Sequence, residues 1–197
     1  MAQSKNNIIT HGLSGKVGDL LVFRSWNGKT IVASKPAERT GEPSEAQKQN
    51  QKRFQEAILY AKAAIADPNT KAAYKAAAAE DETAYNVAVA DFMHAPDIDE
   101  VDVSKYTGKV GDTITVSVTD DFKVVEVSVT IINQDGSEVE HGLAQAALGG
   151  LQWLYTATAD NSSLTGDKII IRASDIPGHT TEKVQRISEP LIPYRGT

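Results

Sequence analysis

The spacing of apolar residues changes twice along this chain, and each change marks a different kind of structure. From Leu20 to Pro36 the sequence reads LLVFRSWNGKTIVASKP. Asn27-Gly28 between two apolar runs predicts a two-residue hairpin turn, because type I′ geometry needs φ > 0 at both positions. Pairing outward from that turn sets Trp26 opposite Lys29, Ser25 opposite Thr30, Arg24 opposite Ile31 and Phe23 opposite Val32. Alternation then puts Leu21, Phe23 and Val32 on one face and Leu20, Val22, Trp26, Ile31 and Ala33 on the other. A half-exposed antiparallel sheet has one polar face, and this ribbon has none. A lone hairpin is marginal in water, so both faces call for cover. Ile8 and Ile9 read as a short first strand, with Gly12, Gly15 and Gly18 as turns before the hairpin.

After a polar linker over residues 37–43 the period becomes helical. Ser44 with Gln47 three residues on is a capping box. Phe54, Ala57, Ile58, Ala61, Ala64 and Ile65 form one stripe, and the helix should stop near Asp67-Pro68. A second short helix starts at Pro68 or Thr70. A third runs roughly from Glu82 to His94, with Tyr85, Ala88, Val89 and Phe92 on one face and Pro96 closing it. The alanine excess suits close helix approach or high helix propensity.

From Asp97 the period is two. Val101 and Val103, then Ile114, Val116 and Val118, then Val125, Val127, Val129 and Ile131 alternate with polar positions; Trp153 and Tyr155 alternate with Leu154, Ile169, Ile171 and Ala173 alternate with Ile170 and Arg172, and Val184 and Ile187 finish the series. Turn residues separate the runs. About seven short strands at this spacing predict an immunoglobulin-type β-sandwich with Trp153 in its core. The word Gly-Lys-Val-Gly-Asp occurs at 15–19 and again at 108–112. Flanking sequences differ, so each reads as a glycine turn before a strand rather than a tandem repeat.

Charge sharpens the division. Residues 1–96 carry 12 Lys/Arg and 10 Asp/Glu, whereas residues 97–197 carry 8 and 16. The plain reading is an acidic module beside a near-neutral one; the sharper reading is that opposite potentials on the two parts steer copies into head-to-tail contact. No basic stripe exists for nucleic acid. The chain has no cysteine, which excludes disulfides and thiolate chemistry. No apolar run reaches membrane-span length, and the N-terminal residues lack the apolar core of a secretory signal. A cytoplasmic or particle-associated location is the expectation.

Candidate chemistry is sparse. Gly12 to Lys16 has the wrong spacing for a phosphate loop, and Val17 stands where a hydroxyl is needed. His11, His94, His141 and His179 do not pair at metal-ligand spacing; surface or cap positions suit them, and His94 at a helix C-terminus suits the dipole. Asp97, Asp99, Glu100 and Asp102 make an acidic cluster of the oxygen donors that calcium takes, but the EF-hand spacing and its glycine are missing; a solvated linker is the expectation and calcium the alternative. Asp120-Asp121 and Asp175 form a second candidate cluster at strand ends, where turn chemistry explains them equally. No Gly-x-Ser-x-Gly elbow or marked carboxylate pair is present. No enzyme activity, catalytic residue, metal site or cofactor is predicted.

The series Gly15-Lys16-Val17-Gly18, Val22-Phe23-Arg24, Asn27-Gly28-Lys29-Thr30, Lys35-Pro36 and Ser44-Glu45-Ala46-Gln47 resembles a group of uncharacterised proteins of Bacteroidota and their mobile elements. The remainder resembles bacterial Ig-like modules through Gly111-Asp112, Asp120-Asp121-Phe122, Asp135-Gly136, Trp153-Leu154-Tyr155 and Asp175-Ile176-Pro177-Gly178. His179 departs from the asparagine that often follows such a pair. The two resemblances span most of the chain and imply no catalytic residue.

The expectation is therefore an α+β chain. A β-hairpin and helical module over 1–96 precedes an Ig-like sandwich over 97–197. The function expected is structural: a self-assembling subunit of a homo-oligomer or filament, of phage-derived or particle-associated type. Leu21, Phe23, Arg24, Trp26, Ile31 and Val32 are the expected interface. The alternative is an adhesion-type module whose sandwich loops bind a surface glycan or protein.

Overall fold

The computed structural model describes residues 2–4, 10, 12–26, 28–35, 41–147 and 149–187. The protein is α+β and mostly β, with three helices and three antiparallel sheets among these residues. The chain divides into two compact units, 1–50 and 51–197. The helical residues beyond Asn50 group with the strands in the second unit.

The first unit holds a four-stranded sheet of order β1-β4-β3-β2, built from β1 (Ala2–Ser4), β2 (Gly15–Val17), β3 (Leu21–Trp26) and β4 (Lys29–Ser34). The β3–β4 register is the predicted one, from Trp26↔Lys29 through Phe23↔Val32 to Leu21↔Ser34. Gly28 has φ 70°, as the second position of a type I′ turn requires; Asn27 lies outside the described residues, as do Ile8 and Ile9. Two strands depart from expectation. Gly15–Val17, read as a turn, is an edge strand paired with Leu21–Phe23. Ala2–Ser4, which carries no apolar pattern in sequence, is a strand paired with β4. At the end of this unit Ser44 N–H donates to Gln47 Oε1 (2.9 Å) and Gln47 N–H donates to Ser44 Oγ (3.3 Å). This is the predicted capping box at the start of α1 (Glu45–Ala64).

The second unit holds the rest of α1, α2 (Pro68–Ala77) and α3 (Ala84–Met93). Asp67 caps α2 by accepting the Thr70 N–H at 2.7 Å, and Thr83 caps α3 by accepting the Asn86 N–H at 3.2 Å. Buried Ala57, Ala61 and Ala88 are small enough for the helices to approach closely. The buried stripe of α3 is Ala84, Val87, Ala88 and Asp91. It is offset by one residue from the predicted stripe of Tyr85, Ala88, Val89 and Phe92. The cause is that an acid occupies a core position.

Eight strands follow: β5 (Asp97–Asp102), β6 (Thr113–Thr119), β7 (Val124–Ile132), β8 (Glu138–Leu143), β9 (Gln145–Ala146), β10 (Gln152–Thr156), β11 (Lys168–Asp175) and β12 (Thr180–Arg186). They form sheets of order β5-β6-β10-β9 and β12-β11-β7-β8. Ile114, Val116, Val118, Trp153 and Tyr155 of one sheet share a single core with Val127, Val129, Ile131, Ile169, Ile171 and Ala173 of the other. The arrangement is compatible with a β-sandwich.

Local departures have identifiable causes. The acidic stretch at 97–102 is a strand rather than a solvated linker, because Ile98 enters the core and Val101 packs against it. Asp99 is the extra residue of a bulge, since Ile98 pairs with Val118 and Glu100 with Ser117. Lys183 Nζ of β12 donates to the carbonyls of Ile98 and Asp99, each at 2.7 Å. Val125 is exposed although in phase with Val127, because a second bulge opposite Ser174/Asp175 resets the alternation. Val184 also faces outward. The second Gly-Lys-Val-Gly-Asp word is the predicted turn before a strand. There Asp112 Oδ2 accepts the N–H groups of Thr107 (2.6 Å) and Lys109 (3.0 Å).

Candidate functional site

Two places concentrate what this chain could use, one in each unit. The first is the ribbon of β2, β3 and β4. Val17 pairs with Leu21 and Phe23 with Val32, so these four side chains share a face. Val17 is 57% and Leu21 39% exposed, while Phe23 and Val32 are half-buried. On the opposite face Trp26 is 55% exposed and Arg24 is exposed, whereas Ile31 is buried at 6%. Leu13 and Leu20 add further exposed apolar surface. Five of the six expected interface residues therefore keep accessible surface, and Ile31 is interior. Both hydrophobic clusters of the described residues lie in the second unit. In the first unit the buried residues among those described are Thr30 and Ile31.

The second place is a group of three carboxylates in the second unit: Asp91 on α3, Asp120 just after β6, and Asp175 at the end of β11. One oxygen from each lies within 4.8 Å of the others. Asp91 is fully buried. Its Oδ2 accepts a 2.5 Å hydrogen bond from the Tyr74 hydroxyl, which lies 2.8 Å from the Tyr60 hydroxyl. Its Oδ1 is buried with no donor. Asp120 Oδ2 accepts the N–H groups of Lys123 (2.8 Å) and Phe122 (3.4 Å), closing a turn, and its Oδ1 is again buried without a donor. Asp175 is buried too. Its Oδ1 accepts the N–H groups of Gly178 (2.8 Å) and His179 (2.6 Å), and its Oδ2 meets His179 Nδ1 at 2.8 Å. Aromatic rings wall the group: Tyr74 lies on Phe122 with centroids 4.4 Å apart, and Phe92 meets the His179 ring edge-on at 4.9 Å.

Burial raises the Asp91 carboxyl from its ordinary 3.8 to about 6. The hydrogen bond from Tyr74 and the nearby His179 ring work against the rise, and Asp120 and Asp175 add to it. Burial raises Asp120 as well. The Tyr74 phenol is held well above its usual range by burial and by facing Asp91 and Tyr60.

Sequence reasoning placed Asp120 and Asp175 in one candidate cluster and credited turn chemistry equally. Turn chemistry accounts for one oxygen of each. Asp91 was missed, although an acid at i+7 of the stripe Ala84-Val87-Ala88 is the signal that finds it. His179 is half-buried against Asp175 rather than on the surface. His94 caps α3 as expected, with Nδ1 2.6 Å from Asp121 Oδ2. His141 is exposed, and His11 lies outside the described residues. The acidic residues of β5 do not join the group.

A further buried acid, Glu140 of β8, stands apart from this group and is structural in character, although its Oε1 is buried without a donor too. Its Oε2 accepts the N–H of Thr158 (2.7 Å) and of Ala159 (3.2 Å) and the Thr158 hydroxyl (2.8 Å). At the loop end a polar cleft of about 470 Å³ is lined by Asn133, Gln134, Asp135, Ser162, Ser163 and Asp167. Among the described residues no helix is long and apolar enough to cross a membrane.

No protein-family model matches this chain, and no curated protein does. Among solved structures it is similar to CopC from Methylosinus trichosporium OB3b, at 14% identity and a TM-score of 0.35 over 46% of this chain and 88% of that one. A likeness of that size carries no argument about what this chain does.

Proposed function

We propose that this chain is a non-enzymatic structural subunit that docks on copies of itself through the ribbon of its first unit. The carrying observation is that this sheet exposes Val17 and Leu21 on one face and Trp26 on the other while burying one aliphatic side chain, Ile31, among the described residues. Such a sheet lacks the core that independent stability requires. An exposed aromatic beside Arg24 suits an interface anchor, and β2 ends the sheet with an open edge that another strand can extend.

Charge favours a second copy as the occupant. Residues 1–50 carry seven Lys/Arg and four Asp/Glu, and residues 51–197 carry thirteen and twenty-two. The first unit of one molecule and the second unit of another thus attract, which is the pattern for head-to-tail growth. For the second unit we favour the finer reading as Ig-like. Its strand order, with β5, β6, β10 and β9 opposite β12, β11, β7 and β8, supports that reading.

Light scattering across a concentration series, with electron microscopy of the same samples, tests the proposal. Rings, fibres or a mass rising with concentration are expected, and Leu21→Glu with Trp26→Glu should abolish them. A strict monomer at high micromolar concentration overturns it.

The polar loop cleft favours a second reading, in which hydroxyl and amide groups of Asn133, Gln134 and Ser162 meet a glycan. A glycan array probed with the full chain tests this, and silence rejects it.

A further inference from the structure

We infer that Asp91, Asp120 and Asp175 together hold a hard divalent cation of the calcium class, which pins α3 to the strand ends of the second unit. Three observations carry this. The first is proximity: an oxygen from each carboxylate falls within 4.8 Å of the others, a span that an ion with bonds of about 2.3–2.6 Å bridges.

The second is unused acceptor capacity in a buried place. Asp91 is fully buried, and its Oδ1 has no donor; Asp120 Oδ1 is likewise buried and unpartnered. A buried carboxylate oxygen without a partner carries a desolvation cost that native structures do not normally leave standing. Asp175 Oδ2 meets the His179 ring alone, so a lone pair remains there as well.

The third is charge. Among the described residues no lysine or arginine is ion-paired with any of the three carboxylates. His179 is the single group of opposite sign in contact, when protonated. Three carboxylates facing at most one positive charge leave an excess that a divalent ion neutralises.

The donor set selects the class. Carboxylate oxygens suit calcium, magnesium or manganese rather than soft metals. Asp91 and Asp175 are buried, which leaves little room for the several waters magnesium retains. Asp120 and the partly exposed His179 stand on the solvent side, where water can complete a calcium shell. The three ligands come from a helix and from both sheets, so the ion would act as a cross-link between elements distant in sequence.

The test uses the full chain stripped with EDTA and titrated with CaCl2, MgCl2 or ZnCl2, read by calorimetry and by melting temperature. One calcium per chain should bind with Kd below ~1 mM. At a hundredfold excess over Kd the melting temperature should rise by about 5 °C or more. Asp91→Asn should weaken binding at least tenfold, while Asp121→Asn, an exposed neighbour outside the group, should leave it unchanged. Asp120→Asn is the second variant should Asp91→Asn not fold. Silence toward calcium up to ~10 mM, tenfold beyond the weak end of such sites, overturns the inference in favour of a proton shared by Asp91 and Asp120. Binding of zinc alone, or undiminished calcium binding by a folded Asp91→Asn or Asp120→Asn variant, overturns it too.

Discussion

The hydroxyl of Tyr74 donates to Asp91 Oδ2 at 2.5 Å, joining α2 to α3 through a buried phenol and a buried carboxylate. Tyr60 of α1 adds its own hydroxyl 2.8 Å from that of Tyr74. A chain of polar groups from three helices thus runs through an otherwise apolar cluster of Ala61, Ala84, Val87 and Ala88.

Tyr74→Phe keeps the ring on Phe122 and removes the donor. Asp91 then has neither oxygen satisfied, which costs roughly 1–3 kcal/mol. Urea unfolding should register a lower midpoint with an unchanged slope. Titration of Asp91 should also move higher, since the lost hydrogen bond favours the charged form. An unaltered midpoint would dismiss the bond as a stabilising element.

Stability in EDTA should rise as pH falls from about 6 toward 4. The sign follows from linkage. Asp91 titrates near 6 when folded and near 3.8 when unfolded, so within that window the folded state binds more protons and stability falls as pH rises. The destabilisation is complete above 6 and absent below 4, of the order of 3 kcal/mol. Burial of Asp120 acts in the same direction. The turn and cap carboxylates Asp67, Asp102, Asp112 and Asp135 are held below their ordinary value by backbone and hydroxyl donors and oppose it at still lower pH. Asp91→Asn should flatten the slope between 4 and 6 in a pH series of chemical denaturation.

Gly108→Ala should be the most damaging glycine substitution in the loops of the second unit. Gly108 has φ +88°, and a Cβ there would lie 2.4 Å from the Asn161 carbonyl oxygen. Backbone cannot retreat as a side chain can, and the left-handed conformation adds about 1–3 kcal/mol of strain. Gly111 has a similar φ but open space around it, so Gly111→Ala should cost distinctly less in the same thermal melt.

Ser44→Ala removes the oxygen that accepts the Gln47 N–H. A cost of about 1 kcal/mol is expected, confined to the first turn of α1. Hydrogen exchange should speed up at residues 45–48 and stay unchanged in α3.

How far the sequence could be read depended on whether a residue's neighbours in the chain were also its neighbours in space. Asn27-Gly28 sets the β3–β4 register locally, and Ser44 with Gln47 sets a helix start locally; both were legible. β8 carries no alternating apolar pattern, because its inward position holds Glu140, whose carboxylate accepts hydrogen bonds from Thr158 and Ala159 far along the chain. β1 pairs through backbone with a strand remote in sequence. The carboxylate group was half legible. Asp120 and Asp175 sit in turns that announce acids anyway, while Asp91 hides in a helical stripe whose acid makes sense only beside Tyr74. The bulges at Asp99 and Val125 shift alternation by one residue, and periodicity has no signal for that.

The two sheets of the second unit are joined differently at their two margins. At one, the chain passes directly from β8 of one sheet to β9 of the other through buried Ala144, whose N–H donates to the Val127 carbonyl at 2.8 Å. At the other, β5 and β12 meet where Lys183 grips the Ile98 and Asp99 carbonyls. The body thus resembles a book with a covalent spine and a hydrogen-bonded clasp. Opening at the clasp breaks hydrogen bonds alone, so amide exchange is expected to start in β5 beside Ile98 before it reaches β8 and β9 at the spine.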